Sequence, residues 1–172
     1  MIFLGGIHGV GKGYFSKILE KELEIKAFSS SELIKNQNKL DKRVKDIKGN
    51  QSKLLIQVDR LKEMYNSFIL DGHFCLIDDK GNFSEIPKDT FVGLNPQIMV
   101  LMEEDPVTIV ERRKRRDGVE LPIDKMSDFM RYERDYALEI SELLGKKLII
   151  CNSSEEHEYT INRIKRELQN EW

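Results

Sequence analysis

A chain of 172 residues is long enough for one hydrophobic core and short for two. Its 40% hydrophobic and 34% charged residues exclude extended disorder and supply the apolar material of a packed interior. With 28 Lys and Arg against 30 Asp and Glu, the net charge of -2 gives no global attraction to nucleic acid or a membrane surface, so an anion site must be local.

Met1 to Gly5 reads as a short buried strand that glycines end abruptly, and helical periodicity begins at Tyr14, Phe15, Ile18 and Leu19. A second apolar segment, Ile25 to Phe28, precedes three serines, of which Ser30 or Ser31 can cap a helix carrying Leu33 and Ile34. The polar, lysine-rich stretch 36–49 reads as a substrate flap, after which Leu54, Leu55, Val58, Leu61 and Met64 recur at helical spacing. Ser67 to Asp71 is then a strand, and Phe74 to Ile86 a small hairpin turning within Asp79 to Asn82. Ile98 to Met102 is another strand, followed by a helix start in which Asp105 caps and Pro106 takes the first helical position. That helix carries Arg112, Arg113, Arg115 and Arg116. A longer helix from about Ile123 to Leu144 stops at Gly145, Lys147 to Cys151 forms a last strand, and Ile161, Ile164 and Leu168 mark a final helix. Five apolar strands alternating with helices predict an α/β fold, a parallel sheet covered on both faces.

Cys75 and Cys151 sit in or beside apolar runs without metal-ligand spacing and are expected as buried thiols. The opening MIFLGG lacks the features of a secretory leader, and no apolar stretch approaches the roughly 20 residues of a membrane span. These features predict a single cytoplasmic domain over residues 1–172.

The segment GIHGVGKG, Gly6 to Gly13, matches the phosphate-loop pattern G-x-x-x-x-G-K-[ST] except in its last place. Gly6, Gly9 and Gly11 permit positive backbone angles, so that the N–H groups through His8, Val10, Gly13 and Tyr14 can converge on a polyphosphate at a helix amino terminus. Lys12 adds a full charge for the β and γ phosphates. The motif stands between an apolar strand and a helix, the context that a phosphate loop requires, which points to a nucleoside triphosphate as the bound ligand. Gly13 stands where a serine or threonine hydroxyl would ligate magnesium. Water can take that place, and Ser16 one turn later either reaches the water shell or faces solvent.

Together the loop, FSSSELIK (Phe28 to Lys35), LDGHF (Leu70 to Phe74) and the arginine helix resemble the adenylate-kinase-like nucleoside phosphate kinases, especially the archaeal-type adenylate kinases, over almost the whole chain. The resemblance implies a three-layer P-loop NTPase fold with a short lid, placed at 116–124. It implies Ser30 and Lys35 as acceptor contacts, with lysine where the family has arginine, against the plainer reading of a helix cap and a solvated charge. Asp71 resembles the acidic residue that anchors Mg2+ through water. His73 matches the histidine of the family's DTH segment, either touching substrate or packed against the hairpin. Arg112 and Arg116, four apart on one helix face, resemble the lid arginines that collect charge on the transferring phosphoryl group, or else belong to a solvated surface. Arg131 and Arg134 are weaker lid candidates, since Glu133 and Asp135 offer competing ion pairs. Asn152 and Ser153 resemble the loop beside the adenine base, or end a strand and cap the last helix. His157 is expected at the surface. Cys75 lies near the place where long bacterial adenylate kinases carry an acceptor-binding arginine, which departs from an AMP site.

The function implied is Mg2+-dependent phosphoryl transfer from ATP to a small acceptor, a nucleoside monophosphate first. Two alternatives stay open: an ATP-binding switch or slow ATPase working through a protein partner, and a small-metabolite kinase on the same fold.

Overall fold

The computed structural model describes residues 1–35, 47–78, 81–118, 121–154 and 157–169. Strand β1 (Ile2–Gly5) leads through the glycine loop into α1 (Lys12–Leu23), and β2 (Lys26–Ser29) runs directly into the short α2 (Ser30–Lys35). Helix α3 (Ile47–Met64) precedes β3 (Phe68–Asp71), a hairpin of β4 (Cys75–Ile77) and β5 (Phe83–Glu85), and α4 (Lys88–Leu94). The remainder is β6 (Ile98–Glu103), α5 (Pro106–Asp117), α6 (Ile123–Leu144), β7 (Lys147–Asn152) and α7 (His157–Gln169).

The main sheet has the order β2-β3-β1-β6-β7, parallel throughout. Helices α1 and α7 pack on one face, and α4 and α6 cover the other. Such a sheet is buried on both sides, which is why IFLG, FILD and IMVLM carry apolar residues without alternation. On the α4 and α6 side Phe3 meets Phe74 edge-on at 5.0 Å and Phe91 at 5.5 Å, while Phe74 and Phe91 stack at 5.3 Å. On the α1 side Phe15 and Leu19 are fully buried. Side chains of this size each contribute about 1.5–3 kcal/mol when removed from water, so the two layers clamp β1 from both faces.

Strand β1 lies between β3 and β6. The chain leaves β1 toward β2 on one side and leaves β3 toward β6 on the other. Adjacent strands whose connections diverge in this way open a crevice at their carboxyl ends. The glycine loop after Gly5 and the segment after Asp71 both emerge there.

Four boundaries differ from the sequence expectation. Helix α2 starts at Ser30 itself, so Ser30 is a helical residue and not the cap. Helix α3 begins at Ile47, which makes 47–49 helical; the rest of the flap, 36–46, lies outside the described residues. Its buried stripe extends back from Leu54 to Gln51, which is 9% exposed. The segment 116–124, expected as a lid, overlaps two helix ends. Arg116 and Asp117 finish α5, whose carboxyl end is closed by Gly118 in the left-handed conformation (φ 65), and Ile123 and Asp124 open α6 after Pro122. Residues 118–122 make the connection, with 119–120 outside the described residues. Helix α4 has no strong periodicity in its seven residues and was not expected. Among the described residues no helix is long and apolar enough to cross a membrane.

Candidate phosphate site

The loop is shaped by its glycines. Gly6, Gly9 and Gly11 have φ of 146, 93 and 107, which other residues adopt only under strain. A Cβ on Gly6 would stand 2.7 Å from the carbonyl oxygen of Met102, and one on Gly9 would stand 2.8 Å from Cγ of Arg113. Gly11 is the N-cap of α1 and no side chain caps it, so the first amides of the helix are left for an external anion. Gly6→Ala is expected to destabilise the fold by about 1–3 kcal/mol, because a backbone oxygen cannot move aside cheaply. Urea unfolding checks this.

Lys12 enters the site with its side chain almost wholly buried. Its Nζ donates to the carbonyls of Gly6 at 2.5 Å and Ile7 at 3.3 Å and lies 3.9 Å from Asp71 Oδ1. Burial lowers the Lys12 pKa from its ordinary value, and the carboxylates of Asp71 and Glu133 partly restore it. Burial likewise raises Asp71, against the opposing pull of Lys12. His73 contacts the same Gly6 carbonyl through Nδ1 at 2.7 Å. An Nδ1–H donor satisfies that contact and leaves Nε2 as the acceptor of the ring. Burial and then Lys12 hold His73 well below its usual pKa, so it is a neutral imidazole. His8 lies against it with ring centroids 4.1 Å apart. One edge of His8 is exposed to the cleft. Desolvation by the cleft wall, joined by Lys12, Arg113 and Arg116, lowers its pKa to about 4.

These groups border a cleft of about 490 Å³. Gly9, Gly11, Lys12, Gly13 and Tyr14 line its phosphate end, and Ser29, Ser30 and Ser31 face them with Asp71 and His73. Arg112 and Arg116 complete the rim. The two arginines are held differently. Arg112 donates to the Val10 carbonyl at 3.3 Å, to Ser153 Oγ at 3.2 Å and to Glu104 Oε2 at 3.1 Å, which ties α5 to the loop and to the end of β7. Burial alone would raise Glu104, but the hydroxyls of Ser153 and Ser154, the Asp105 amide and Arg112 outweigh it and hold its carboxyl low. Arg116 is 60% exposed and forks onto Asp117 at 2.8 and 2.6 Å.

Residues 5–133, which span the loop, the Asp71 segment and the arginine helix, match the AAA domain family. The chain belongs to that family. Among curated proteins none matches it in sequence. Solved structures share the fold of this AAA domain chain. A shikimate kinase from Aquifex aeolicus superposes with TM-score 0.60 at 13% identity, over 99% of this chain and 96% of the other. A shikimate kinase from Bacteroides thetaiotaomicron gives 0.57 at 18%, over 98% and 95%. A gluconokinase from Sinorhizobium meliloti gives 0.53 at 12%, over 96% and 87%. The fold is therefore that of P-loop kinases.

Several expected residues of this AAA domain chain stand away from the cleft. Lys35 is exposed at the end of α2 and does not line it, and Asn152 uses its Oδ1 to accept from the Ser154 amide at 2.8 Å. Val10 is buried beneath the loop. Ser16 is buried, not solvent-facing, and does not border the cleft. His157 packs against Phe15 at 4.8 Å and is half-buried, because the start of α7 lies on α1. Ser153 and Ser154 direct their hydroxyls to Glu104, and α7 begins only at His157. Arg134 pairs with Glu103 and Arg131 with Asp128. Glu133 takes no part in those pairs. It turns inward, 2% exposed, and accepts from the Phe74 amide at 3.2 Å. Glu133 was missed as a site residue, although its position was readable. It interrupts the apolar stripe Met126, Phe129, Tyr136, Ala137 and Ile140, where a carboxylate needs a buried partner. Glu104 gave no such signal.

Proposed function

We propose that this chain transfers the γ-phosphoryl group of ATP to a small acceptor seated between Ser29–Ser31 and the His8–His73 pair. The observation that carries this is the convergence of Lys12 Nζ and His73 Nδ1 on the Gly6 carbonyl, with Asp71 3.9 Å from Lys12, at one end of a cleft walled by serines. The loop amides and Lys12 bind the donor phosphates; Asp71 would hold Mg2+ through water, and the ion when bound would supply charge neutralisation. The open space at Gly13 and the half-buried Asp71 carboxylate fit a hydrated ion beside the loop.

The acceptor oxygen bonds to the γ-phosphorus as the bond to the β,γ-bridging oxygen breaks, which yields ADP and the phosphorylated acceptor; a phosphate acceptor brings no proton to this step, and a hydroxyl acceptor releases its proton to solvent. Nothing in this step needs a covalent enzyme intermediate. The residues position the reactants and balance charge. Arg116, exposed at the rim, is the mobile cation for the transferring group, whereas Arg112, fixed by Glu104 and Ser153, orders the nucleotide end. Neutral His8 and His73 offer hydrogen bonds to the acceptor without adding charge.

A nucleoside monophosphate is the first acceptor class, as the resemblance to archaeal-type adenylate kinases implies. The serine wall and the fold shared with shikimate kinase and gluconokinase support a polyhydroxylated metabolite as the second. A coupled ADP-release assay across nucleoside monophosphates and sugar or hydroxy acids tests the proposal. Acceptor-dependent ADP release supports it. Mg-ATP binding with no acceptor phosphorylated anywhere in the panel favours the nucleotide switch, for which the missing hydroxyl at Gly13 is the supporting observation.

A further inference from the structure

The buried carboxylate of Glu133 lies behind the site, on α6, and touches neither the cleft nor any expected substrate. Its contacts nevertheless lead to the loop. Glu133 Oε1 accepts from the Phe74 amide at 3.2 Å, and the backbone of Cys75 also donates to this carboxylate. The ring of Phe74 presses on Gly5, where an added Cβ would meet ring carbons at 2.3 and 2.6 Å. The preceding residue, His73, bonds to the Gly6 carbonyl that also receives Lys12, and Gly72 N donates to the Leu4 carbonyl at 3.0 Å. The segment Asp71–Phe74 is thus docked to the end of β1 and the first residue of the loop, and α6 holds it there through one charged side chain.

We propose that Glu133 is a positioning residue, which fixes the Asp71–Phe74 segment against the glycine loop and thereby sets the placement of Asp71 and His73 relative to Lys12. The inference rests on the reading of this cleft as a phosphoryl-transfer site. An ionised carboxylate can accept from two amides at once, whereas a protonated one turns one oxygen into a donor and loosens the segment. Full burial brings Glu133 to a pKa of about 7; Lys12 and the two amides offset part of that rise, and Glu103 adds to it. The ionisable groups near it are Lys12 on α1, Cys75 on β4 and Glu103 on β6. Charges on the other elements packed against α6 are engaged elsewhere: Glu85 of β5 accepts from Tyr132, Lys88 of α4 pairs with Glu139, Arg112 of α5 pairs with Glu104, and Lys147 of β7 pairs with Glu167. Burial lowers His8 to about 4, His73 well below its usual value and Lys12 below its own, and raises Asp71, so the comparison with Glu133→Gln is what assigns an inflection near pH 7.

The test has two readouts on the full chain. In the first, the Cε1–H resonance of His73 is followed by NMR from pH 5.5 to 8.5 without nucleotide. The wild-type signal should shift with an inflection near pH 7 that belongs to Glu133, and Glu133→Gln should flatten it. In the second, kcat/KM for Mg-ATP should fall about tenfold in all as pH drops through 7 in the wild type and then level off. Glu133→Gln, neutral at every pH, should be about tenfold slower at pH 8 and show no such limb, while Mg-ATP affinity at pH 6 matches the wild type. A His73 signal that is flat in the wild type, or an inflection that persists in Glu133→Gln, overturns the inference. Should Glu133→Gln not fold, Glu133→Asp, which keeps the charge on a shorter stem, should move the inflection, and an inflection unchanged in Glu133→Asp overturns the inference. Failure of the kinase reading gives a different pattern, with no Mg-ATP binding but the His73 titration intact.

Discussion

Gly13→Thr is expected to raise phosphoryl transfer by about 10- to 100-fold, the range by which a metal site's supporting groups change activity. A Cβ on Gly13 meets nothing within 4 Å, and the residue lies in the first turn of α1 on the cleft wall, so threonine enters without displacing a neighbour. Its hydroxyl supplies the magnesium ligand that glycine lacks. Helix propensity favours threonine over glycine by a few tenths of a kcal/mol, so a rate gain cannot come from loss of fold. Steady-state ADP release at saturating Mg2+ measures the effect. No gain, with tight Mg-ATP binding retained, marks the chain as a nucleotide switch instead of a weakened kinase.

Lys12→Met is expected to lower transfer by about 10²- to 10³-fold, as removal of a preorganised charge donor does. Methionine keeps the apolar stem in its buried channel, and the loop carbonyls of Gly6 and Ile7 lose only their ammonium donor. Stability moves the other way from activity. Lys12 has a folded pKa below 10.5, so its charged form is disfavoured in the fold and stability rises with pH between the folded value and 10.5. Lys12→Met should abolish that rise. Glu133 has the opposite sign: its folded pKa of about 7 lies above 4.5, so the folded chain binds more protons in that window and stability falls as pH rises through it. The fall amounts to about 3 kcal/mol at most. Glu133→Gln should therefore abolish that fall while transferring phosphate more slowly at pH 8. Thermal unfolding at several pH values reads both effects.

The parts of the fold that one periodicity governs were legible in the sequence. Strands β1, β3 and β6 are unbroken apolar runs, and α6 was placed at Ile123–Leu144 because Gly145 and a long stripe bound it. The Asp105 and Pro106 start of α5 is present, with Asp105 accepting from the Thr108 amide at 2.9 Å. Helix α4 and the carboxyl end of α5 were not legible, because short helices and frayed ends depend on packing more than on local pattern.

The site was legible where the backbone itself makes it. Three glycines at fixed spacing dictate the loop, and Lys12 follows from it. Long side chains were harder. Nothing local distinguishes Arg112, drawn onto Glu104 and Val10, from Arg113, whose stem lies across Gly9 and whose Nε is buried without a hydrogen-bond partner among the described residues. Lys35 was expected in the cleft from its place in FSSSELIK, yet the last turn of α2 leaves it exposed. Glu133 looked like a surface partner for its arginine neighbours. The helical register of α6 turns it inward instead.

Calorimetric titration of the full chain with Mg-ATP, Mg-ADP and AMP tests the loop most directly. A cradle built for β and γ phosphates predicts saturable heat with ATP bound more tightly than ADP, competition of both by inorganic tripolyphosphate, and no displacement of Mg-ATP by AMP. Heat that is absent with Mg-ATP, or Mg-ATP displaced by AMP as readily as by tripolyphosphate, would contradict a polyphosphate site at Gly6–Gly13.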